Sequence, residues 1–194
     1  MNQPDDHYYI EAICKGDARA FVTLVDRYKH MVFTLAMKIL KNNEEAEEVS
    51  QDVFIKVYNA LHTFKGDSKF STWLYKIAYY QSLDYLKRQK RNLHTSSINS
   101  DIEYHLSSVE SALNGLEESE RKLAIKRAID KLPEDDAVVI TLHYFEELSL
   151  KEIAEIMDIE ANTVKVRLFR SRKRLAVFLK NELEPEILGT YGGR

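Results

Sequence analysis

Leu148-Ser149-Leu150-Lys151-Glu152-Ile153-Ala154-Glu155-Ile156-Met157-Asp158-Ile159-Glu160, followed by Ala161-Asn162-Thr163-Val164-Lys165-Val166-Arg167-Leu168-Phe169-Arg170-Ser171-Arg172-Lys173-Arg174-Leu175, reads as two helices separated by a tight turn. Ser149 with Glu152 three residues later has the pattern of a capping box, which starts the first helix. That helix buries Ile153, Ala154, Ile156 and Met157. The turn is Asp158-Ile159-Glu160, and the long helix after it turns Val164, Leu168, Leu175 and Leu179 inward at helical spacing. Lys165, Val166, Phe169, Arg170 and Lys173 then point outward. A short helix, a tight turn and a strongly cationic second helix have the form of a helix-turn-helix, whose second helix enters the major groove of DNA. Arginine grips guanine bidentately, and Val and Phe meet thymine methyls. Arg167, Arg172 and Arg174 are placed for phosphates.

Working outward, Leu123, Ile125, Ala128, Ile129 and Leu132 make a helix that stops at Leu132-Pro133, because the residue before proline avoids the helical region. Asp135 or Asp136 opens another helix, with Val138, Val139, Leu142 and Tyr144 apolar. These elements make a second domain over 121–184, and 185–194 is a tail expected to fray. In the other direction, residues 93–120 hold six acids, many Ser and Asn, and no Lys or Arg. They read as a flexible acidic linker, with some helix near Val109–Leu116. Fully extended, the segment spans roughly 90–100 Å, beyond two turns of duplex at ~34 Å each.

The first domain, 1–92, contains three further helical patterns. From Ala18 to Leu40, apolar residues at Phe21, Leu24, Val25, Tyr28, Val32, Leu35, Ala36, Ile39 and Leu40 form a broad stripe. Asn42 and Asn43 break it. A second helix, Glu44 to His62, buries Val49, Val53, Val57 and Leu61 and carries acids outside. The Thr63–Phe70 loop contains the turn signal Gly66-Asp67-Ser68. Ser71 or Thr72 caps a third helix running to Arg91, whose cationic end suits the helix dipole. The fold class is therefore all-α: two helical domains joined by a flexible linker, the C-terminal one with the helix-turn-helix.

Composition narrows the function. Net charge is −3, yet 87–91 holds four basic groups and 165–174 six, neither with an acid. Two cationic helix ends flanking an acidic strap suit two contacts with one polyanion. A single cysteine excludes an internal disulfide. The six histidines are scattered without metal-ligand spacing, and no glycine loop cradles a phosphate, so neither a cofactor, a metal nor a catalytic site is expected. No stretch is long and apolar enough to span a membrane, and the polar N-terminus has no signal-peptide core, so a cytoplasmic protein is expected.

Leu61-His62-Thr63-Phe64-Lys65-Gly66-Asp67-Ser68-Lys69-Phe70-Ser71-Thr72-Trp73-Leu74-Tyr75-Lys76-Ile77-Ala78 resembles the heart of the second conserved region of bacterial sigma factors. Val49-Ser50-Gln51-Asp52-Val53-Phe54-Ile55-Lys56-Val57-Tyr58 resembles that family's polymerase-binding segment. Leu132-Pro133, Leu148-Ser149, Glu152-Ile153-Ala154, Thr163-Val164-Lys165 and Arg167-Leu168 match the fourth conserved region. The resemblance covers roughly 18–91 and 121–180, without the family's longer first and third regions, as in the extracytoplasmic-function (ECF) sigma factors.

This resemblance implies a subunit that binds core RNA polymerase and directs initiation at promoters with −10 and −35 elements. Glu48, Gln51, Asp52 and Lys56 would dock on the β′ clamp, and the fourth region on the β flap. Phe64, Ser68, Lys69, Phe70, Lys76, Tyr79, Tyr80, Lys87 and Arg88 would hold the −10 element, melted so that bases stack in a pocket. Tyr75 and Tyr79 are expected to be exposed and Trp73 to lie in the core. Lys165, Val166, Arg167, Phe169, Arg170, Lys173 and Arg174 would read the −35 duplex. An anti-sigma factor is a common partner in the family. The chain departs from family habit at Tyr80, where Asn is frequent, at Val166, where a small polar residue is frequent, and at Asp158 and Asn162, where the turn often has Gly. Asn and Asp tolerate the left-handed conformation. The alternative is a stand-alone helix-turn-helix regulator; an enzyme fused to a DNA-binding module fits least.

Overall fold

The computed structural model describes residues 5–92 and 117–190, and among them every regular element is helical. The helices are α1 (Asp6–Cys14), α2 (Ala18–Leu40), α3 (Asn43–Ala60), α4 (Phe70–Asn92), α5 (Glu118–Asp130), α6 (Glu134–Tyr144), α7 (Leu150–Met157) and α8 (Ala161–Thr190), with a 3₁₀ turn at Leu61–Thr63. The linker expected over 93–120 and its helix near Val109–Leu116 lie outside the described residues, except that α5 already begins at Glu118. Contacts divide the described helices into two units. The first holds α1–α4 with Lys151–Glu160, and the second holds α5, α6 and α8.

In the first unit α2, α3 and α4 pack against one another. The stripe on α2 buries Leu24, Val32, Leu35, Ala36 and Ile39, and α3 faces it with Ala46, Val49, Val53 and Val57. Spacings of three and four put each set on one helix face. Full burial of Leu24, Leu35 or Ile39 stabilises by about 1.5–3 kcal/mol each, and Leu35→Ala would cost about 2–5 kcal/mol. Helix α2 stops because Lys41 turns left-handed at φ 56. Asn42 then opens α3, its side chain accepting the N–H of Glu45 at 3.2 Å. Helix α4 begins at Phe70, earlier than a Ser71 or Thr72 cap requires, and Thr72 is buried.

Helix α1 was not expected from the apolar pattern. Asp5 caps it by accepting the N–H of Asp6 at 2.7 Å. Its fixing point is the Asp6 carboxylate, which accepts hydrogen bonds from both the Arg27 guanidinium and the Tyr28 hydroxyl of α2. The Arg27 guanidinium also lies 5.2 Å from the centre of the Tyr9 ring. Burial raises the Tyr28 phenol far above its ordinary value, and the hydrogen bond to Asp6 raises it further.

In the second unit α6 is buried almost all round, from Asp136 through Leu142, as befits a helix at the centre of a core. Helix α8 packs against it and against α5, the second contact being made by Ala124, Ala128, Ala176 and Leu179. Small residues there let the two backbones approach. Asp158, between α7 and α8, is left-handed at φ 55, as the turn requires. Asn162, the other candidate for that conformation, instead lies in the first turn of α8. The expected tail starts late as well, since α8 continues past Pro185 to Thr190.

Candidate nucleic-acid interface

On α8 the buried residues Val164, Leu168 and Ser171 recur at four and three. This fixes the helix's rotation. At 3.6 residues per turn, Val166, Phe169 and Lys173 fall on the opposite side, with Lys165 and Arg172 on one flank and Arg170 near the other. All six are exposed. The Lys173 ammonium sits 4.8 Å from the centre of the Phe169 ring, a cation–π contact that holds both side chains on this outer face.

Arg167 and Arg174, seven residues apart, share the remaining flank, and it faces the first turn of α6. Arg167 donates to Asp135 at 2.7 Å and Arg174 to Asp136 at 2.5 Å. In the free protein each guanidinium is thus held by a carboxylate of its own fold, and the contact of both with DNA stands as an expectation. Asp136 is buried, so it takes no alternative partner from solvent. Arg172 stays exposed, and its placement for phosphate stands as an expectation.

The expected −10 element spans the loop before α4 and one face of that helix. Phe64 is half-buried, its ring centre 5.7 Å from Phe70 and 5.4 Å from Trp73. Phe70 is buried, with a relative exposure of 4%. The expected stacking role of Phe70 is corrected: it is the floor of an aromatic cluster, with Tyr28 5.5 Å away on its other side. Trp73, expected in the core, is instead partly exposed beside Phe64, and joins the aromatic surface that the sequence reading missed. The signal was its position three residues after Phe70, on the same helix face.

Tyr75 and Tyr79 are also corrected. Both are buried, because α4 packs against α2 and α3 together and so hides a wide stripe containing Leu74, Tyr75, Ala78, Tyr79 and Ser82. Tyr80, one position on, is partly exposed, with its ring 5.4 Å from that of Tyr79. Burial, and secondarily the Asp158 carboxylate, raises its phenol. Ser68 is half-buried, while Lys69, Lys87 and Arg88 are exposed and Lys76 is partly so. Within this unit Lys69 pairs with Glu152 at 2.8 Å and Lys76 with Asp158 at 3.7 Å. Such surface pairs are worth about 0–1 kcal/mol, so a phosphate can replace either carboxylate at little cost.

The outer face of α3 carries the other candidate set. Glu48, Gln51, Asp52 and Lys56 are all exposed, with Glu44 and Glu47 extending the acidic line. Two of them touch α4: Glu48 accepts from the Tyr85 hydroxyl at 3.2 Å, and Lys56 donates to Gln81 at 3.1 Å. Ile55, outside the Val49–Val53–Val57 stripe, is 62% exposed in this face and was missed from sequence. Asp52, Ile55, Lys56, Asn59, His62 and Gln81 line an open groove here. No cluster of His, Cys, Asp and Glu able to hold a metal exists among the described residues, and no described helix is long and apolar enough to cross a membrane.

These surfaces coincide with regions of likeness to known proteins. Residues 24–92 match the model of sigma-70 region 2, and residues 122–175 match that of sigma-70 region 4. The chain is 36% identical over 191 residues to the ECF RNA polymerase sigma-E factor of Escherichia coli (strain K12), covering 95% of this chain and 97% of that protein. It is 35% identical over 181 residues to the RNA polymerase sigma-H factor of Pseudomonas aeruginosa, covering 90% and 94% respectively. Among solved structures, the sigma factor RpoE of Bartonella quintana, crystallised with the anti-sigma factor NepR, superposes with a TM-score of 0.65 at 21% identity, over 84% of this chain and 98% of that one. CnrH, in complex with the cytosolic domain of CnrY, gives 0.58 at 21% identity, over 91% and 97%. The two solved structures support the fold.

Proposed function

We propose, from the premise that this chain belongs to the ECF sigma factors of RNA polymerase, that its helical surfaces divide promoter recognition among three tasks. As a sigma factor, the protein binds core RNA polymerase and directs initiation at specific promoters. The outer face of α3 docks on the β′ clamp, where its acids meet basic groups and Ile55 supplies an apolar centre. The Phe64–Trp73 surface, with Ser68, Lys69, Lys76, Tyr80, Lys87 and Arg88, receives the unpaired −10 strand, aromatic rings stacking on bases and cations neutralising phosphates. The outer face of α8 reads the −35 duplex, while the unit that carries it docks on the β flap. The protein itself performs no chemistry; polymerase does. Its place of action is the cytoplasm, and an anti-sigma factor that covers these surfaces would silence it.

The observation that carries this division is the rotation of α8. Burial of Val164, Leu168 and Ser171 leaves a cationic, partly aromatic face of the width a major groove accepts. A stand-alone regulator would use that face but would need neither the acidic face of α3 nor the aromatic loop. Run-off transcription with purified core polymerase and this protein as the only added factor tests the reading. Specific transcripts that disappear when either promoter element is scrambled are expected. Tight DNA binding without core binding or specific transcripts would replace the reading by that of a stand-alone regulator.

A further inference from the structure

Val166 and Phe169 are 43% and 52% exposed, although both are apolar and both lie on the helix face opposite the buried stripe. Three residues apart, they are neighbours on the helix surface. Together they make a short apolar ridge between Lys165 on one side and Arg170 on the other. The cation–π contact from Lys173 holds the Phe169 ring at its C-terminal end. A groove-facing helix that only tracked phosphates would have no use for such a ridge, since phosphates and water are polar. In the major groove the one apolar group on a base edge is the C5-methyl of thymine.

Resting on the −35 reading above, we propose that Val166, backed by Phe169, makes this protein selective for thymine methyls at the position in the −35 duplex that faces the first turns of α8. Valine offers two methyl groups and no hydrogen-bonding atom, so it discriminates by what it can bury. A thymine methyl placed against it leaves water, whereas the C5 hydrogen of cytosine leaves a gap there. The expected selectivity is modest, about three- to tenfold per methyl group, as the burial of one methyl-sized group permits.

The test uses the full chain assembled with core polymerase. Promoter duplexes randomised in the −35 element are selected for binding, and the winning duplex is remade with deoxyuridine in place of thymine, one position at a time. Loss of one methyl should weaken binding three- to tenfold for the wild type and less than twofold for Val166→Ser, which should also select a different base there. Val166 is exposed, so Val166→Ser should fold normally, as circular dichroism would record. Equal binding of thymine and deoxyuridine duplexes by the wild type would overturn the proposal while leaving the −35 reading intact. Failure to enrich any −35 sequence would instead overturn that reading. If Val166→Ser and Phe169→Ala weakened association with core polymerase and left base preference unchanged, the ridge would be a protein contact and the proposal would also fall.

Discussion

Arg174 of α8 donates to the Asp136 carboxylate of α6 at 2.5 Å, and the carboxylate is buried while the guanidinium keeps an edge in solvent. A buried charge that loses its ionic partner keeps its desolvation cost. Arg174→Ala should therefore destabilise the protein by about 1–3 kcal/mol, below the cost at fully buried pairs because Arg174 is partly exposed. Asp136→Asn introduced with it should recover part of the loss, which thermal unfolding of the single and double variants would measure. The salt dependence of promoter binding separates this from a DNA role. Arg172→Ala should reduce the salt slope by about one, whereas Arg174→Ala should leave it unchanged. The reverse pattern would make Arg174 the phosphate contact.

The tie between α1 and α2 has a pH signature. Burial and the bond to Asp6 raise the Tyr28 phenol above its unfolded value of about 10. Its contribution to stability is complete below that value and is lost as pH rises through the higher folded-state value. Tyrosinate absorbance should show Tyr28 among those of the eleven tyrosines that ionise only with unfolding. Tyr28→Phe should reduce that step. Titration of every tyrosine before unfolding would show that the tie is not maintained in solution.

On α3, Asp52 and Ile55 are exposed, and among the described residues no hydrogen bond involves their side chains. Asp52→Arg should weaken association with core polymerase by roughly tenfold or more through loss of charge complementarity, and Ile55→Ala should weaken it through loss of an apolar anchor. Helical circular dichroism and Tm should not move. Glu48→Arg is a less clean probe, since Glu48 also accepts from Tyr85. Undiminished affinity in both Asp52→Arg and Ile55→Ala would place the polymerase contact elsewhere.

The loop variants should separate into two kinds. Phe64 belongs to the cluster with Phe70 and Trp73, so Phe64→Ala should cost about 1–3 kcal/mol of stability as well as any DNA contact. Lys69→Ala with Ser68→Ala removes polar groups at the rim and should leave Tm nearly unchanged. If these groups hold the opened strand, the double variant should be slow to open duplex promoters. Much of its activity should return on a promoter mismatched across the −10 element, where the unpairing cost is already met. Permanganate reactivity of promoter thymines reports the opening. Normal opening by the double variant would leave the loop a structural turn.

Periodicity determined most of the secondary structure. Val49, Val53 and Val57 could be only one face of a helix, and Val164 with Leu168 set the rotation of α8 before any partner was known, because 3.6 residues per turn fixes which neighbours share a side. The order of the elements and the motif Thr63–Ala78 were equally legible, being local. Helix α1 escaped because its hold is polar: Asp6 meets Arg27 and Tyr28 across a gap in sequence that no apolar pattern marks. Tertiary structure alone decided which tyrosines and which arginines are available. Tyr79 and Tyr80 are adjacent and chemically identical, yet packing of α4 against two helices buries one and leaves the other partly open. On α8, Arg167 and Arg174 look no different in sequence from Arg170 and Arg172. Asp135 and Asp136, 32 and 38 residues before their partners, claim the first two. Ionic pairing acts through space with no period along the chain, so the arginines that pair with α6 could be told from the others only once α6 lay beside α8.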